Sequence, residues 1–139
     1  MRSRVISGFV TACGIALIVG ACGGNSSSTS GPSPTSPLTT PPGAVNTLTI
    51  TIANNAVSPK DIIVPRGSQV TFVNNDNRTH DMESDPHPEH TDCPALAQVG
   101  FLKVGQTTQS GNLNTARICG FHDHNAADTV GLQGSITVQ

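Results

Sequence analysis

The chain has 139 residues, a formal net charge of −2 at pH 7, only 12% charged residues, and neither Trp nor Tyr. A chain this close to neutral offers no basic patch for nucleic acid, and one this poor in aromatics offers no stacking platform for bases or sugars.

Arg2 and Arg4 precede the apolar run "VISGFVTACGIALIVG" at residues 5–20. A basic start, an apolar stretch and a zone of small residues form the layout of a secretory signal. A membrane-spanning anchor is the competing reading. The run falls short of the ~20 apolar residues that span a bilayer, and glycines and Thr11 interrupt it. Its end, "VGAC" at Val19 to Cys22, resembles the lipobox of bacterial lipoproteins. That resemblance implies a signal over 1–21 and a lipid on Cys22 as the first mature residue. Gly23, standing where an aspartate is absent, implies the outer membrane or cell surface facing the periplasm or the exterior. Plain cleavage without lipid is the alternative. Each buried CH₂ of an acyl chain contributes ~0.8 kcal/mol, so several chains make a firm tether.

Residues 22–44 continue with "GGNSSSTSGPSPTSPLTTPPGA" after the cysteine. Gly, Ser, Thr and Pro bury too little apolar surface to offset their ordering entropy, so this segment reads as a spacer that lifts a domain off a membrane. Loss of Arg2 and Arg4 with the signal takes seven basic residues to five, against nine acidic, a mature charge of −4. Residues 45–139 remain for one domain, near the size at which a single core barely suffices and a metal or disulfide helps.

Within it, "NTLTITI" at Asn46 to Ile52 alternates Leu48, Ile50 and Ile52 with polar residues, as a half-buried strand does. Ile62 and Val64 alternate next, Pro65-Arg66-Gly67 makes a turn, and Val70 and Phe72 alternate again. Gly67 supplies the conformational freedom of that turn. Thr107 to Leu113 and Thr115 to Ile118 read as weaker strands. "LQGSITV" closes the chain with Leu132, Ile136 and Val138 as its apolar set. Several short strands with no helical period predict an all-β sandwich or Greek-key barrel.

All five histidines fall between His80 and His124, in "THDMESDPHPEHTDC" and "CGFHDH", together with Cys93 and Cys119. Imidazole and thiolate suit copper and zinc. A hydrolytic reading of Asp123, His124 and Ser135 lacks a Gly-x-Ser-x-Gly elbow, so a binding protein is expected and not an enzyme. Once Cys13 leaves with the signal and Cys22 takes lipid, Cys93 and Cys119 are an even pair, which in an exported protein normally means a disulfide.

The order "VSPKDIIVPRGSQVTFVNNDNRTH", "VGQT", "CGFH", "GLQGSITV" resembles a cupredoxin, the fold of plastocyanin and the other blue copper proteins, over residues 46–139. The resemblance implies a Greek-key β-sandwich, a copper cofactor, and one-electron transfer with a redox or metal-donor partner protein. It implies His80, Cys119 and His122 as ligands. His124 is a further candidate in the long loop from His122 to Gly131. A soft thiolate with two imidazoles makes a trigonal centre tuned by a weak axial group. The chain departs from the family pattern in three ways. Leu132 stands where the axial methionine belongs, and Met82 reads as core filling rather than its substitute. The loop after His122 is long. The "SDPHPEHTDCP" segment is extra, and its His87, His90 and Cys93 form a second site or cap the first. Asn74 or Asn75 either holds the ligand loops by hydrogen bonds or makes an ordinary turn.

The rival arrangement bridges Cys93 to Cys119. It leaves an all-nitrogen site of His80, His122 and His124 with His87 or His90, suited to copper or zinc capture and delivery. Both arrangements remain open at this point, because a bridge requires Cα atoms within about 7 Å.

Overall fold

The computed structural model describes residues 38–139. The signal segment 1–21, Cys22 and most of the 22–44 linker lie outside the described residues. Among the described residues there are ten strands: β1 (Val45–Asn46), β2 (Thr49–Ala53), β3 (Ala56–Ser58), β4 (Asp61–Val64), β5 (Thr71–Asn74), β6 (His80–Ser84), β7 (Gly100–Leu102), β8 (Thr107–Gln109), β9 (Arg117–Asp123) and β10 (Gln133–Val138). Three short 3₁₀ turns, Pro94–Gln98, His124–Ala126 and Val130–Leu132, complete them. The strands form a six-stranded sheet in the order β1-β4-β10-β9-β6-β7 and a four-stranded sheet in the order β3-β2-β5-β8. Parallel pairs β1–β4, β4–β10 and β2–β5 within otherwise antiparallel sheets give the crossed connections of a Greek-key sandwich.

The expected alternation builds the core. Ile50, Ile52, Ile62, Val64, Val70 and Phe72 are buried, as are Leu132, Ile136 and Val138 at the end of the chain. Phe72 from the smaller sheet meets Phe121 from the larger one edge-to-face, with ring centroids 5.4 Å apart, the arrangement that ring quadrupoles favour. Met82 is buried in this core, the filling role expected of it. Leu48 differs from expectation: it precedes β2 and is 46% exposed.

Two turns follow from their residues. Gly67 has φ +83° between β4 and β5, a region that glycine enters freely. Asn54 and Asn55, with φ of 52° and 59°, form the two-residue connection of the β2–β3 hairpin. Asparagine is among the residues that tolerate this left-handed pair, which matches the strand twist. β9 is longer than the sequence pattern predicts. It runs on through His122 to Asp123, held by β10 on one side and β6 on the other.

Candidate metal centre

The length of β9 decides which side chains meet. Successive residues of a strand point to opposite faces. Cys119, Phe121 and Asp123 therefore face the sandwich interior, where Phe121 packs on Phe72. Gly120 and His122 face the outside of the larger sheet. Cys119 and His122 are three residues apart on a continuous strand, an odd spacing, so they do not converge on one ion. The His₂Cys centre implied by the resemblance is not built here.

Cys119 has another partner. It is bonded to Cys93, with Cα atoms 5.7 Å apart, well within the span of a disulfide. Cys119 is therefore half of a bridge and is not a thiolate ligand. This is the rival pairing, and it follows from Cys93 standing at the end of the loop that folds back over β9.

His80 is also displaced from the expected set. It is fully buried at the start of β6, with Nδ1 2.8 Å from Asp123 Oδ2 and Nε2 3.3 Å from Asp76 Oδ2. Both ring nitrogens face carboxylates, so neither lone pair is directed at the other histidines. The Asp76 carboxyl is held below the usual carboxylate range, chiefly by the backbone N–H of Asn55, then by that of Asn77, with His80 adding to both. Asn74 organises this loop: its Nδ2 donates to Arg78 O and Leu102 O, and its Oδ1 accepts from Asp76 N. It holds a loop as expected, but the loop carries His80 and not a member of the histidine cluster. Leu132 is buried in the core, and without a thiolate there is no trigonal centre for it to cap.

The histidines that do converge are His87, His90, His122 and His124, each offering one nitrogen within 4.8 Å of all the others. Their rings pack with centroids 4.9 to 5.7 Å apart in five of the pairs. His122 comes from β9 and His124 from the turn that follows. His87 and His90 come from the loop between Asp85 and Asp92. That loop is pinned at its base: Asp85 N donates to Gly120 O at 3.0 Å and Asp92 N to Asp85 O at 2.9 Å. His90 N donates to Pro86 O at 2.8 Å, and His90 takes a left-handed φ of 52°. A non-glycine residue held in that region is a mark of strain at functional sites. The bridge at Cys93 closes the far side.

His122 carries the clearest chemistry. Its Nδ1 donates to Asp85 Oδ1 at 2.7 Å, which fixes the tautomer and leaves a lone pair on Nε2. That Nε2 is buried and has no hydrogen-bond partner. A carboxylate behind an imidazole whose other nitrogen is free is the standard orientation of a metal-binding histidine. The Asp85 carboxylate reaches this position by lying across Gly120, where a Cβ would overlap it. His124 Nδ1 and His90 Nε2 lie 3.2 Å apart. Two nitrogens bound at 2.0–2.1 Å on a tetrahedral ion are about 3.3–3.4 Å apart, so this pair already has the spacing of a shared ligand edge. Four neutral imidazoles suit copper or zinc, and the donor set fits such an ion.

Asp123 links the two buried systems. Its Oδ1 accepts from Asp81 N and from Asn125 N, capping the turn that begins at His124, while Oδ2 faces His80. Burial pushes the Asp81 carboxyl up, against the pull of His124 and His90. Beside the cluster opens a cleft of about 540 Å³, lined by Lys60, Asp128 and Gln133 as well as Asp85, His87 and His122. Sequence reasoning named all four histidines but missed Asp85. An acidic residue two positions before His87 in "SDPH" was the available signal.

No protein-family model and no curated protein matches the chain. Solved structures do. A purple cupredoxin from Nitrosopumilus maritimus matches with a TM-score of 0.52 and 17% identity, over 67% of this chain and 100% of that one. A reduced amicyanin variant matches with a TM-score of 0.52 and 16% identity, over 68% of this chain and 83% of that one. Oxidised plastocyanin from Dryopteris crassirhizoma matches with a TM-score of 0.51 and 16% identity, over 66% and 99%. At these identities the likeness establishes fold alone: the two-sheet sandwich of the described residues is cupredoxin-like.

Proposed function

We propose that this domain binds copper through His87, His90, His122 and His124, as an exported lipoprotein that captures the ion and passes it to a partner. The observation that carries this reading is the buried, unpartnered Nε2 of His122, oriented by Asp85 toward three further imidazoles. The fold neighbours support copper as the ion; one of them is an amicyanin variant in its Cu(I) form. Copper bound to four imidazoles supplies a site that accepts both oxidation states without a thiolate. One-electron transfer through a blue copper centre needs the Cys119 sulfur, which the bridge to Cys93 occupies. The all-nitrogen donor set therefore favours holding and delivery, with zinc as the competing ion. The chain acts on no substrate in this account.

Export and anchoring rest on "VGAC" and the spacer that follows it. Cys22→Ala releases the protein from membranes or blocks its processing, read by fractionation. Copper binding is tested by equilibrium dialysis of the purified domain. One ion per chain is expected, with binding lost in His122→Ala and unchanged in stoichiometry in His80→Ala. Retention in His122→Ala with loss in His80→Ala would place the ion in the sandwich interior instead.

A further inference from the structure

The bridge between Cys93 and Cys119 joins two mirrored sequences. His90 stands three residues before Cys93, and His122 stands three residues after Cys119. The disulfide thus ties the loop that carries half of the histidine cluster to the strand that carries His122, from the opposite face of the sheet. The sulfurs are nearly covered, with Cys93 3% and Cys119 1% exposed. Yet both cysteines line a cavity of about 200 Å³ rimmed by Asn112, Asn114 and Thr115. Arg117 lines the same cavity. It precedes Cys119 by two on β9 and so projects from the same face. Its Nε is buried and has no hydrogen-bond partner among the described residues. A structural disulfide alone gives no reason for a buried, unpartnered guanidinium nitrogen in the cavity that it lines. A guanidinium there favours the thiolate form of a neighbouring sulfur.

We infer that this cavity is a thiol-exchange site, that it takes a small thiol as reductant, and that opening the bridge loosens the histidine cluster. A thiolate in the cavity attacks Cys93 Sγ, forming a mixed disulfide and expelling Cys119 Sγ as a thiolate beside Arg117. A second thiolate attacks the outer sulfur of the mixed disulfide, releasing Cys93 as a thiolate and the oxidised small disulfide. Two electrons pass from the two thiols to the bridge, and their two protons end on Cys93 and Cys119. Once reduced, the 86–92 loop keeps its backbone hydrogen bond from Asp92 N to Asp85 O but loses its covalent hold on β9. His87 and His90 are then less preorganised relative to His122 and His124, and preorganisation is a large part of affinity. This regulation rests on the four-histidine reading above, whereas the exchange reaction does not.

The test uses the oxidised, metal-free domain with reduced glutathione as the thiol. Free thiols are counted by alkylation and mass while circular dichroism follows the fold. Two thiols should appear with the fold retained. Arg117→Gln should slow their appearance about tenfold, and Arg117→Lys should stay within about threefold of wild type. The second readout is zinc affinity, since zinc does not oxidise thiols. It should fall about tenfold in the Cys93→Ser/Cys119→Ser double variant relative to the oxidised wild type. Thiols that appear only on unfolding, or an Arg117→Gln rate equal to wild type, would overturn the exchange site. Equal zinc affinity in the bridged protein and the double variant would overturn the coupling. Failure of the four-histidine reading looks different, because the oxidised wild type would then bind no zinc at all.

Discussion

His122 donates from Nδ1 to the Asp85 carboxylate at 2.7 Å, and this one contact determines which nitrogen of the ring faces the neighbouring imidazoles. Asp85 in turn is placed by its own backbone, which donates to Gly120 O, and by the missing side chain of Gly120. A main-chain contact, a glycine and a carboxylate thus act in series to orient one ligand.

Breaking that series should weaken metal binding without removing a donor. Asp85→Ala should lower copper affinity about 10- to 100-fold, the usual effect of losing a partner that orients a ligand. Gly120→Ala should act in the same direction, because its Cβ displaces the Asp85 carboxylate. Competition against a chelator of known strength measures both. Unchanged affinity in Asp85→Ala would show that His122 is oriented by something else.

His80→Ala separates the interior histidine from the cluster. It leaves Asp123, a fully buried carboxylate, without its closest hydrogen-bond partner. Removing one member of a buried pair costs about 3–5 kcal/mol. The variant should therefore lose several kcal/mol in a denaturant titration while still binding one copper ion when folded.

Asp81 supplies a pH signature. Burial raises its folded pKa above the unfolded value of 3.8, so the folded state holds a proton that the unfolded state has released. Ionised Asp81 therefore costs stability, and the cost grows as pH rises through the folded pKa. Asp81→Asn should stabilise the metal-free domain at neutral pH. The gain should vanish as pH falls below about 3.8, where Asp81 is protonated in both states. Thermal unfolding of both proteins across that range checks the sign. A gain that increases toward low pH would contradict it.

Much of the fold was legible because burial leaves a period-two trace. Ile50, Ile52, Ile62, Val64 and Phe72 alternate as they are read, and "LQGSITV" announces β10. β3 was missed although Asn54-Asn55 is a hairpin signal, because the three-residue strand after it carries only Val57 as a buried apolar residue. The metal site was legible in composition but not in grouping. Five histidines in one third of the chain point to a metal. Which of them share a face depends on where β9 ends. Had the strand stopped at Cys119, the chain could have turned and brought His122 back toward the cysteine. Pairing with Gln133 and Glu83 instead carries β9 through His122 and turns that ring outward. Such pairing is a property of three strands together, and no local spacing reveals it. The bridge was likewise undecidable from sequence, because a sequence separation of 26 says nothing of the 5.7 Å approach of its cysteines.

The most direct test of the account is the visible and electron paramagnetic resonance spectrum of the Cu(II) protein as purified, with the bridge intact. Four imidazoles and no thiolate predict a weak ligand-field band, nitrogen hyperfine structure from the histidines, and loss of both in His122→Ala. An intense sulfur-to-copper charge-transfer band, abolished by Cys119→Ser and by His80→Ala, would mean that Cys119 is a ligand after all and that the ion sits inside the sandwich.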